Sequence, residues 1–154
     1  MEQTDALRER SSGAGQTRGG FGVDYKIRVR RGEALLSFLM DHGRFGPPGM
    51  LGGRDGAPNE VIVSRQGGDY VAPHLSKDED IRVGAGDAIT VRTPGGGGYG
   101  DPWQRDPVLV ARDAARGYIT ADDASADYGV VLTAADPPAL DRHATDQFRR
   151  QGRR

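Results

Sequence analysis

Apolar and polar residues alternate along residues 21–30, and this period of two places Phe21, Val23, Tyr25, Ile27 and Val29 on one face of a half-buried strand. Arg31-Gly32 offers a turn. The apolar run that follows, residues 33–40, fits a helix or a strand by pattern alone. Its position directly after a turn favours the second arm of a hairpin. Short runs at 61–63, 81–83 and 88–92 predict further strands, with Gly84-Ala85-Gly86-Asp87 turning between the last two. Residues 43–59 hold six glycines and three prolines, which forbid a regular element and leave a long loop. Long loops in compact domains serve function or lie against a partner. Residues 1–18 are polar and glycine-rich at their end, the texture of a mobile lead-in.

After residue 102 the texture changes. Asp106 and Pro107 form an N-cap followed by a proline at the first helical position. Val108, Ala111, Ala114 and Ala115 then recur at helical spacing, and Gly117 ends the helix. Thr120 caps a second helix over residues 121–128, stopped by Gly129. Residues 130–132 read as an extended segment, and 138–150 as a last helix. The expectation is an α+β chain: a flexible lead-in over 1–18, a β-rich portion of mainly antiparallel strands over 19–102, and a helical tail over 103–154 packed on it.

Composition narrows the functional classes. Leu, Ile, Val and Phe together make up just under a fifth of the chain, near the level of about 20% at which a core becomes thin. The 24 glycines and 9 prolines add backbone more than buried side chain. A chain built this way is expected to lean on a partner surface. The net charge of −1 argues against a dedicated nucleic-acid or membrane-surface protein. Arg149, Arg150, Arg153 and Arg154 form a local basic tail that reads as a solvated terminus. With no cysteine, disulfides, thiolate zinc sites and a cysteine nucleophile are excluded. The polar opening resembles no signal peptide, and no run approaches the roughly 20 apolar residues of a membrane span. The default location is the cytoplasm.

Candidate chemistry centres on Gly95, Gly96, Gly97 and Gly98, followed by Tyr99 and Gly100. Glycines permit close backbone approach to a ligand, a phosphate or another chain. No lysine follows as in a P-loop, and the helix begins only near Pro107, so a tight structural corner anchored by Tyr99 is the alternative. Asp101, Arg105 and Asp106 could meet a carboxylate or bound phosphate, or fix the loop by an ion pair beside a helix start. Arg18, with Gly19 and Gly20, and Arg44 read either as interface residues or as turn chemistry. His42, His74 and His143 lack metal-ligand spacing. Ser11, Ser12 and Ser37 have no His-Asp arrangement beside them, and no serine nucleophile is assigned.

Three ordered segments carry a resemblance: SSGAGQTRGGFGVDYKIRV at 11–29, PPGMLGGRDGAPN at 47–59, and TPGGGGYGDPWQRDPVLVARDAARGYITADDASADYGVVL at 93–132. Together they resemble the C-terminal part of the B-type subunit of the hydantoinase B/oxoprolinase family. That family includes N-methylhydantoinase, 5-oxoprolinase, caprolactamase-like enzymes and the acetone and acetophenone carboxylases. The resemblance implies a two-part machine. ATP is bound by an A-type partner, which activates an amide or ketone oxygen by phosphorylation. Its B-type counterpart completes hydrolysis of a lactam or hydantoin, or carboxylation of a ketone. The family's metal-binding Asp and His residues lie in an N-terminal portion that nothing here matches, so no catalytic or metal residue is assigned. On this expectation the chain binds no cofactor itself and is inactive alone. ATP and a divalent metal belong to the complete complex, and the partners are the remainder of the B-type subunit and the A-type subunit. A split subunit, a truncation and a remnant all fit this picture. So does a small stand-alone module that binds an anion or nucleotide.

Overall fold

A computed structural model describes residues 2–152. Seven strands come first: β1 (Glu2–Leu7), β2 (Val23–Arg28), β3 (Glu33–Leu39), β4 (Glu60–Arg65), β5 (Gly68–Val71), β6 (Lys77–Gly84) and β7 (Ala88–Arg92). Three helices follow: α1 (Pro107–Ala115), α2 (Ala121–Tyr128) and α3 (Arg142–Gly152), with a short 3-10 turn at Pro102–Gln104 before them. This is the α+β arrangement expected.

Five strands form one antiparallel sheet in the order β1-β2-β7-β4-β5, and β3 pairs with β6 in a second, two-stranded sheet. The alternation in β2 has its counterpart in its neighbours. Ile27 lies opposite Ile89, which lies opposite Val63, and Tyr25, Val91 and Val61 form the next row. Cross-strand apolar rows of this kind stabilise a sheet and mark its buried side. Ile81 and Val83 of β6, with Leu36 and Phe38 of β3, pack against Val63 from the second layer.

The sequence pattern favours β3 as the partner of β2 in a hairpin, and here the structure differs. β2 is flanked by β1 and β7, while β3 crosses to pair with β6. The physical reason is coverage. A β3 beside β2 would extend the sheet and leave the Val63 face wet. In the second layer, Leu36 and Phe38 cover that face, and burial of apolar area is the dominant favourable contribution to folding.

Residues 1–18 are expected as a mobile lead-in; residue 1 lies outside the described residues, and residues 2–18 differ from that expectation. β1 pairs with β2 along its whole length, and Ser11, Gly13, Ala14 and Gly15 are buried. Residues 3–7 are exposed at the sheet edge. An edge strand that buries neither face carries no period-two signal. The Ser11 hydroxyl donates to the Arg8 carbonyl at 2.6 Å and accepts from the Gly22 N–H at 2.9 Å, which anchors the turn after β1.

The helical region has its own core of Val110, Ala124, Tyr128 and Val130, and Ala14 from the far end of the chain completes it. Helix starts follow local chemistry. Asp106 accepts from the Val108 N–H at 2.9 Å. Thr120 and Asp123 form a reciprocal capping box, and Gly129 closes α2 at φ 60°. The last helix begins at Arg142 rather than 138. Asp141 accepts from the Ala144 N–H, and residues 131–141 instead form an extended return with Leu132 bridged to Leu140. No described helix is long and apolar enough to cross a membrane.

Candidate functional site

Three glycine-rich segments, 11–19, 46–57 and 95–100, lie main chain against main chain. The N–H of Gly13 donates to the Gly96 carbonyl at 2.8 Å, that of Arg54 to Ala14 at 2.7 Å, and that of Met50 to Gly98 at 2.9 Å. In return, the N–H groups of Gly95, Gly96, Gly98, Tyr99 and Gly100 donate to the carbonyls of Ala57, Gly20, Arg54, Thr17 and Met50. An anion nest requires such N–H groups to point at the ligand. Here they point at carbonyls of the same chain.

Space explains the glycines of the run. A Cβ at Gly95 would lie 1.8 Å from the Ser11 carbonyl oxygen, and one at Gly98 would lie 2.0 Å from that of Ala14. Neither has a positive φ, so the requirement is close approach and not a special dihedral. Gly97 meets the Pro48 carbonyl in the same way, and Gly96 is the most open of the four.

The platform has an outer face. Tyr99 bridges Thr17 in antiparallel fashion and Met50 in parallel fashion. Bridge partners in extended segments project to the same side. Thr17, Tyr99 and Met50 therefore stand in a row, all exposed, and Leu51, next in the chain, is exposed in the turn that follows Met50. The sequence offers Tyr99 as a packed anchor, yet its side chain is 54% exposed and its backbone carries the attachment.

Behind the platform sits an arginine cluster. Arg18 Nε donates to Asp113 Oδ2 at 2.9 Å, and Arg105 donates to the same oxygen at 3.0 Å and to the Gln16 carbonyl at 3.2 Å. Arg105 and Asp113 are both buried. Arg18 also lies 4.3 Å over the Phe21 ring, which packs against Tyr118 at 4.8 Å. Arg149 donates to the carbonyls of Arg105 and Tyr128. The Tyr128 hydroxyl is buried here, and that burial pushes its pKa up. This cluster ties residues 16–18 to the start of the helical region. Arg149, read as part of a solvated tail, belongs to this tie, while Arg153 and Arg154 lie outside the described residues. Asp101 stands apart from the cluster and accepts from the Trp103 N–H at 2.9 Å, capping the 3-10 turn. No pairing signal in the sequence points to Asp113, because its partners are 95 and 8 residues away.

A different region gathers two of the histidines. His42 and His74, with Arg44, line a cleft of about 280 Å³ beside β6. His143 lies on α3, hydrogen-bonded to Gln147. Among the described residues no group of three or more His, Asp or Glu side chains could hold a metal ion. Next to the cleft the Tyr70 hydroxyl donates to Asp78. That bond pulls the Asp78 carboxyl below its ordinary pKa and raises that of Tyr70.

Residues 2–102 match the family described as hydantoinase B/oxoprolinase. The B-type subunit of a putative D-/L-hydantoinase from Pseudomonas sp. (strain NS671) is 29% identical over 94% of this chain and 24% of its own length. The ATP-dependent caprolactamase from Pseudomonas jessenii superposes with a TM-score of 0.77 at 26% identity, covering 96% of this chain and 25% of the other. Acetone carboxylase superposes equally well, TM-score 0.77, at 21% identity over 97% of this chain, a likeness of fold. The chain thus spans about a quarter of the length of each of these three relatives. A family match over two-thirds of the residues, with the glycine platform and the helical region superposing on the same relatives, makes this chain a member of the hydantoinase B/oxoprolinase family.

Proposed function

We propose that this chain forms the C-terminal portion of the B-type subunit of an ATP-dependent cyclic-amide hydrolase. Its role there is to complete the subunit fold and its partner interface. The observation that carries this reading is the caprolactamase superposition, in which nearly the whole of this fold corresponds to a quarter of a larger enzyme chain. The hydrolase branch is favoured over ketone carboxylation because the caprolactamase likeness extends to sequence, at 26% identity. A stand-alone nucleotide-binding role fits less well, since the N–H groups of Gly95, Gly96, Gly98, Tyr99 and Gly100 already donate to protein carbonyls.

In this reading the substrate is a lactam or hydantoin. ATP-dependent activation comes from an A-type partner, and the metal-binding residues lie in the remainder of the B-type polypeptide. Dependence on ATP favours a cytoplasmic complex. The glycine platform, Arg18, Asp101 and Arg105 act as a frame that positions an interface, and this chain contributes no catalytic group.

The test is reconstitution. The A-type partner and the rest of the B-type polypeptide are assayed for ATP-dependent ring opening of hydantoins and lactams, with and without this chain. Turnover should fall to background without it, and the chain alone should be inert. Full turnover in its absence, or hydrolysis by the purified monomer, would refute the reading.

A further inference from the structure

We infer that the row formed by Thr17, Tyr99 and Met50, with Leu51 next in the chain after Met50, is the docking face for the remaining, larger part of a B-type polypeptide. This inference rests on the functional reading above and specifies the surface it uses.

The composition of the face fits a protein interface. Met50 is 59% exposed, Leu51 72% and Tyr99 54%. Tyrosine and methionine are enriched at the centres of protein interfaces, and a polar rim usually surrounds them. Gln16 and Asp101, both exposed, flank this row. The face is also built to keep its shape. Its three strips come from residues 17, 50 and 99, distant in sequence, and main-chain hydrogen bonds of 2.8 to 3.0 Å join them. Below them glycines let the backbones touch, so the main-chain strips themselves need not rearrange when a partner arrives. Preorganisation of this kind lowers the entropic cost of association.

The occupant follows from size. In the caprolactamase and acetone carboxylase structures this same fold makes up 25% and 24% of the chain. Three-quarters of each of those polypeptides is thus available to lie against it. A second copy of this chain fits less well. A stable dimer needs roughly 800 Å² from each partner, more than four side chains supply. Other large apolar side chains are exposed elsewhere, Leu35 at 63% and Leu39 at 80% on β3. Exposure at separate places suits envelopment by a larger body better than one symmetric contact.

The test uses the full chain and the separately purified B-type polypeptide of the same organism, with affinity read by calorimetry. The variant Met50→Asp with Tyr99→Asp changes two exposed side chains, so its melting temperature should match the parent. Its affinity should fall about thirtyfold or more, the scale of losing an interface hot spot. Parent binding with an unchanged variant would overturn the docking face and leave the functional reading standing. No binding by the parent would sink both. A chain that dimerises, with the dimer abolished by the double variant, would assign the face to a second copy and overturn the inference. Photo-crosslinking through Tyr99→p-benzoylphenylalanine gives an independent readout. Cross-linked peptides should come from the B-type polypeptide, and self-adducts or none would refute the assignment.

Discussion

Replacing Gly98 by alanine tests the platform most directly. The new Cβ would stand 2.0 Å from the Ala14 carbonyl oxygen and 2.8 Å from that of Gly13, where ordinary contact begins at 3.4 Å. Both obstacles are backbone and cannot swing aside. The strips must separate, which by analogy with overpacked cores costs about 1–3 kcal/mol. Separation also loosens the hydrogen bonds from Gly98 to Arg54 and from Met50 to Gly98, at 2.8 and 2.9 Å. A buried polar group left without a partner costs about 1–3 kcal/mol. The combined loss of about 2–6 kcal/mol is a large share of a typical domain stability of about 5–15 kcal/mol. For a chain of this size about 2–4 °C of melting temperature accompanies each kcal/mol, so Gly98→Ala should melt at least several degrees lower or fail to fold. Gly20→Ala is the control. It lies next to the platform, has no positive φ, and a Cβ there meets nothing within 4 Å. Differential scanning calorimetry should find it unchanged or slightly stabilised. A Gly98→Ala melting temperature equal to that of Gly20→Ala would refute the close-packing account.

Three further outcomes are expected. Asp113→Ala removes the carboxylate shared by Arg18 and the buried Arg105, and should cost about 3–5 kcal/mol in urea unfolding; a loss under about 1 kcal/mol would show that the cluster is not a tie. Thr120→Ala removes the hydroxyl that accepts from the Asp123 N–H at 3.1 Å, and should cost about 1 kcal/mol by chemical denaturation. Tyr70→Phe should raise the Asp78 carboxyl pKa in an NMR titration, since the Tyr70 hydroxyl is the main influence lowering it. The sign fixes the pH window. A carboxyl lowered by folding stabilises the native chain at neutral pH, and that contribution is lost as pH falls through its folded pKa. On the alkaline side the same bond is lost as pH rises through the raised Tyr70 pKa.

Local chemistry makes the helical region readable. Asp106-Pro107, Thr120 with Asp123, and Gly129 each specify a helix end through groups within a few residues, and the structure places α1 and α2 at those ends. β2, β4, β6 and β7 are legible because one face of each is at least partly buried. β1 and β5 are not, being edge strands, one polar along most of its length and the other only four residues long. The partner of β3 escapes a sequence reading because adjacency favours a hairpin while coverage of Val63 favours a second layer. At the candidate site the glycine run is visible as a pattern. Its reason is not, since the atoms that crowd Gly95 and Gly98 belong to residues 11 and 14. Asp113 is invisible for the same reason. Nothing near it in the chain announces that two arginines will share its carboxylate.

Ala14 sits in a cluster whose other buried members span residues 110–130. During synthesis the N-terminal end emerges first, so residue 14 leaves the ribosome long before its neighbours in that cluster exist. β1 can pair with β2 soon after both are made, but the apolar cluster around Ala14 cannot form until residues 110–130 arrive, and closing so wide a loop is slow relative to local folding. The polar character of residues 2–5 suits that interval, because a waiting edge with few apolar groups is a poor template for aggregation. It follows that deletions reaching residue 14 or residues 110–130 should cost more than the removed residues suggest, because these distant segments close one core between them.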